Sequence, residues 1–84
     1  MVRLTLDLRG STEAQIRSYL QALGGENRPD GSVVGPGWTA QLTVGEHRAF
    51  GLVWPRVIVE CEGESEAVEA VAKGLRLRAT RGGG

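Results

Sequence analysis

Two stretches far apart in the chain follow one design. "LTLDLRGSTEA" begins at Leu4 and "VIVECEGESEA" at Val57; set in register, Gly10 falls on Gly63, Glu13 on Glu66 and Ala14 on Ala67. In each, an alternating apolar run ends at a glycine, and a polar cap then opens an apolar pattern near helical spacing. Period two giving way to period 3.6 marks a strand that turns into a helix over one hydrophobic layer. A chain with two such units reads as α+β, and 84 residues make one core with no room for a second.

In the first unit Val2, Leu4, Leu6 and Leu8 alternate with Arg3, Thr5, Asp7 and Arg9, the pattern of a strand with one buried face. A helix follows, with Thr12 and Gln15 as a capping box, Ala14, Ile16, Tyr19, Leu20 and Leu23 as its apolar stripe, and Gly24-Gly25 as its stop. Glu26 to Gly37 reads as a loop with two turn signals, Pro29-Asp30-Gly31 and Gly35-Pro36-Gly37, around a short extended piece at Ser32 to Val34. Trp38, Ala40, Leu42 and Val44 define a second strand, and Gly45-Glu46 predicts the turn after it. The return strand runs from about His47 to Cys61. Pro55 cannot donate to a ladder, so that strand lies at an edge there, bulges, or is two strands. The second unit supplies a helix capped at Ser65 with Ala67, Val68, Val71 and Ala72 inward and Gly74 as its stop, and "LRLRAT" alternates once more as a last strand.

The order βαββαβ, with two similar βα units, resembles the ferredoxin-like fold. That resemblance implies a four-stranded antiparallel sheet with both helices on one face and strands one and three side by side at its centre. That pair is further read here as parallel, so that both helices begin at the same end of the sheet. Residues 1–81 then form the domain and 82–84 a flexible glycine tail.

The parities opposite the core parities form an open sheet face. Arg3, Trp54, Arg56, Ile58, Arg76 and Arg78 stand there as candidate interface residues, with Thr5, Asp7, Arg9, Thr39, Gln41, Thr43, Glu60 and Thr80 around them. Tryptophan, isoleucine and arginine suit an interface core, and ferredoxin-like domains commonly pair through open sheets. The expectation is a non-enzymatic binding or assembly module, a homo-oligomer or partner-docking protein. Binding of single-stranded nucleic acid by the same arginines is one alternative, and an arginine–carboxylate–threonine lattice that only keeps the face soluble is another. Ten basic residues balance ten acidic ones, so no net charge steers the chain to nucleic acid or to an anionic membrane, and strand one lacks the stacking aromatics of RNA-recognition modules.

Arg9, Gly10, Ser11 and Thr12 place an arginine, two hydroxyls and backbone N–H groups at a helix start, which suggests a small anionic ligand of the kind ACT-like domains sense. Acylphosphatases bind phosphate after strand one of a similar fold, and a small hydrolase of that type is a further alternative, although their longer arginine-bearing loop has no match here. No catalytic constellation is expected. Cys61 shares the core parity of Val57 and Val59, and the single histidine, His47, lies at the far end of the same run. One histidine and one cysteine make no metal site, and no cofactor motif is present, since the glycine-rich loop lacks P-loop spacing and lysine. An unpaired cysteine, the lack of a leader-like N-terminus, and the absence of any run of ~18 apolar residues point to a cytoplasmic protein outside the membrane.

The end of the chain, "LRLRATRGGG", resembles the end of ubiquitin, and sulfur carriers related to it also end in a diglycine. Here Ala79, Thr80 and Arg81 intervene, there are three glycines, and the element order is not the ββαββ order of the β-grasp fold. The stretch is therefore read as strand four, with Leu75 and Leu77 inward and Arg76 and Arg78 completing the open face.

Overall fold

A long hairpin is the framework of the molecule. The computed structural model describes the backbone of residues 1–82 and the side chains of residues 1–79. Its elements are β1 (Val2–Arg9), α1 (Glu13–Ala22), β2 (Glu26–Asn27), β3 (Val33–Gly35), β4 (Trp38–Ala49), β5 (Leu52–Gly63) and α2 (Ser65–Gly82). β4 passes straight through Gly45-Glu46, where the sequence predicts a turn, and reverses at Phe50-Gly51 instead. Both turn residues have positive φ, 55° and 74°, the conformation of a two-residue turn whose twist matches the flanking strands.

Pro55 does not split the return strand. β5 keeps one unbroken register with β4, from Ala49↔Leu52 to Trp38↔Gly63. β1 pairs with β5 only as far as Arg9↔Arg56, so Pro55 lies just past the last rung and its missing N–H leaves no strand unsatisfied. Its carbonyl accepts from the Gly10 N–H at 2.7 Å, which ends β1.

The α+β class holds, with a five-stranded sheet in place of the expected four-stranded one. The sheet has five strands in the order β1-β5-β4-β3-β2, every pair antiparallel. β1 and β5 are neighbours, as the two-unit reading requires, yet they run antiparallel, so α1 and α2 start at opposite ends of the sheet. The loop between α1 and β4 contributes two short strands, with Asp30 accepting from the backbone and hydroxyl of Ser32 at the turn between them.

The predicted fourth strand is helix. Val68, Val71, Ala72 and Leu75 form one continuous buried stripe at i, i+3, i+4 and i+7, and the chain does not stop at Gly74. A Cβ there would lie 2.8 Å from Leu23 Cδ2, so this glycine is where the end of α1 packs close against α2. Leu75 is fully buried while Leu77 is 54% exposed, which a strand with both leucines inward would not allow. Both helices cover one side of the sheet, and Leu6, Val33, Trp38, Ala40, Val57, Val59, Cys61, Ile16 and Leu20 complete the core.

Candidate functional site: the open sheet face

Registers and strand parity put Arg3, Thr5, Asp7 and Arg9 of β1, Thr39, Gln41, Thr43 and His47 of β4, and Trp54, Arg56, Ile58, Glu60 and Glu62 of β5 on the face away from the helices. Arg76 and Arg78 are absent from it, because α2 carries them on the other side of the sheet. His47 and Glu62 are additions. Glu62 follows from the parity of β5 and could have been read from it; His47 was hidden by the misplaced turn.

The face is an ion-paired lattice. Asp7 accepts two bonds from Arg56, 2.9 Å from Nε and 2.6 Å from Nη2, the forked geometry that arginine favours. Arg9 approaches the same carboxylate at 3.5 Å, and Arg3 bonds Glu62 at 2.9 Å. The bond from Arg56 holds the Asp7 carboxyl below its ordinary range, and Asp7 in turn raises Arg56. Arg3, Arg9 and Arg56 are thus balanced on this face by Asp7, Glu60 and Glu62. Met1, Arg3, Thr39, Gln41, Thr43, Glu60 and Glu62 surround a shallow polar hollow of about 480 Å³.

Apolar side chains border the lattice, with Trp54 and Ile58 on either side of Arg56 along β5. Trp54 lies opposite His47 and is 43% exposed; Ile58 lies opposite Asp7 on one side and Thr43 on the other, half-buried. Leu52, opposite Ala49, prolongs this border toward the turn.

The group expected to receive an anion is occupied with capping. Thr12 Oγ1 accepts from the Gln15 N–H at 3.2 Å, Gln15 Oε1 accepts from the Thr12 N–H at 2.9 Å, Gly10 N–H is spent on Pro55, Ser11 is buried and Arg9 faces Asp7. Cys61 is fully buried, and burial pushes its thiol pKa up, the opposite of what a nucleophile needs. Among the described residues, no three of histidine, cysteine, aspartate and glutamate come together as a metal site, and no helix is long and apolar enough to cross a membrane.

The predicted flexible tail falls partly outside the described residues: Gly82 closes α2, and Gly83 and Gly84 lie beyond. No curated protein matches the chain. A family model described as "Archaeal MoaD-like protein" matches residues 4–84, from β1 through the glycine tail. With nearly its whole length inside that match, the chain belongs to the archaeal MoaD-like protein family.

Proposed function

We propose that this MoaD-like protein is a non-enzymatic docking module that presents its open sheet face to a protein partner. The observation that carries the reading is the exposed pair Leu52 and Trp54, with half-buried Ile58, beside a lattice whose charges are already matched. An interface core draws on aromatic and aliphatic side chains, and a charge-neutral rim costs little to desolvate. Nucleic acid fits this face less well, since Arg76 and Arg78 lie on α2 and the remaining arginines have carboxylate neighbours. A photo-crosslinking residue placed at Thr43 is expected to trap one discrete partner in cells, with none trapped from Lys73 on α2. Trp54→Ala should then weaken the isolated complex about thirtyfold, the loss of one hot spot. Trapping from Lys73 and not from Thr43 would refute the reading.

The glycine run favours a second reading that can coexist with the first. In it the protein is a carrier of the ubiquitin-like kind: an ATP-consuming enzyme held at the sheet face turns the Gly84 carboxylate into an acyl adenylate with release of diphosphate, and sulfide-level sulfur from a donor, or an amine, then displaces AMP to give the thiocarboxylate or the amide. Its support is the family match through Gly82 to Gly84. Intact mass measurement of protein from its native source tests it: the expected species carries sulfur in place of one carboxylate oxygen, or a conjugate, at a free Gly84. Only unmodified protein, or a chain that continues past Gly84, would count against it.

A further inference from the structure

β4 is twelve residues long, but β3 pairs only with its first three, Trp38 to Ala40. From Gln41 to Ala49 its outer edge meets no strand among the described residues. The turn decides which groups that edge presents. A two-residue turn is closed by a pair that exchanges both backbone hydrogen bonds, here Ala49 and Leu52, and such pairs recur at every second residue. Odd-numbered residues of β4 therefore bond to β5, and the N–H and C=O groups of Leu42, Val44, Glu46 and Arg48 point away from it. A free row of this kind is a template for another strand.

A second copy of the chain is the strand that fits. Two β4 edges can meet antiparallel about a two-fold axis only in registers that set even-numbered residues against even-numbered ones. With the axis at Gly45 or earlier, the turn of the second copy would fall on Ala40 or beyond, where β3 already lies. With the axis at Glu46 or Arg48, like charges face each other. With the axis at His47, Glu46 of each copy faces Arg48 of the other, and Val44 faces the turn residue Phe50. Val44 and Phe50 are 55% and 99% exposed in the single chain, and among the described residues Glu46 and Arg48 are otherwise paired with each other alone, at 3.7 Å. The register that clears β3 is thus also the one that joins opposite charges and covers apolar side chains.

We infer that the chain self-associates by antiparallel pairing of β4 with β4 of a second copy, centred on His47, so that two five-stranded sheets become one. The pairing uses the sheet edge and leaves the open face to its partner, so it stands or falls independently of the docking reading.

Sedimentation velocity of the full chain over a range of concentrations tests it. The expected result is a concentration-dependent dimer. Glu46→Arg and Arg48→Glu should each weaken association about tenfold by setting like charges opposite each other at both sites of the axis. The double variant Glu46→Arg/Arg48→Glu should restore it, a rescue that no loss of folding can mimic. His47→Cys should form a disulfide-linked dimer under mild oxidation and Thr43→Cys should not, since native Cys61 is buried. A monomer at every concentration, or a dimer indifferent to both single charge reversals, would overturn the inference.

Discussion

Asp7 gathers more of the open face than any other residue, because Arg56 and Arg9 converge on its carboxylate. Its folded pKa is depressed, chiefly by the Arg56 bond, so its contribution to stability is complete above the ordinary aspartate pKa of about 3.9 and is lost as pH falls through the lower, folded value. Asp7→Asn should therefore lower the urea midpoint at neutral pH and flatten its fall below about pH 4; an unchanged acid limb would show that the pair does not operate in solution. Cys61 behaves in the opposite sense. Buried, with its thiol pKa raised, it should resist alkylation in native buffer and react fully on unfolding. Gly35 owes its place to a close approach, since a Cβ there would run into the Trp38 indole. Gly35→Ala is expected to cost about 1–3 kcal/mol, read as a drop in Tm of roughly 4–8 °C for each kcal/mol. The burial of Cys61 was legible from parity, and so was ion pairing of Asp7 with flanking arginines, but which arginines it holds and the contact of Gly35 with Trp38 were not, because parity reveals the face and not who stands opposite whom.

Elements with local signals were the ones the sequence could show. α1 was legible because Thr12 and Gln15 cap each other within one turn. β1 was legible because its alternation is unbroken from Val2 to Arg9. α2 was cut short because a glycine after an apolar stripe serves equally as a helix stop and as a place for another helix to approach, and only the position of Leu23 distinguishes the two. The alternation of Leu75 and Leu77 is too short to separate period two from period 3.6. The hairpin turn was misplaced for a related reason: Gly45-Glu46 contains a glycine, but Phe50-Gly51 is where both residues take positive φ. Helix and strand at Leu75 to Ala79 make different predictions. Leu75→Ala should cost about 2–5 kcal/mol and Leu77→Ala close to nothing in chemical denaturation, whereas a strand facing the core would lose heavily at both.

At the scale of the molecule, the pseudo-repeat correctly predicted two βα units and one core, but not their relative direction. Parallel and antiparallel neighbours bury the same apolar parities, so direction had to come from the connections. The element order already sets it: α1 returns the chain, so the next strand runs with β1, and each hairpin after it reverses direction, which makes β5 antiparallel to β1 whether one hairpin intervenes or, as here, three. The helix that replaces the expected fourth strand moved Arg76 and Arg78 off the open face and left a neutral lattice with apolar side chains at its border, which turns the reading toward a protein partner. The glycine tail, set aside when the last stretch was read as a strand, returns once that stretch is helix and the family match runs through it. The central claim is that the open face is the docking face, and the most direct measurement is amide hydrogen exchange on the isolated complex with the crosslinked partner. The account predicts slowed exchange along β1 and β5, with exposure of α1 and α2 unchanged. Protection confined to the helices, with β1 and β5 exchanging as in the free protein, would contradict it.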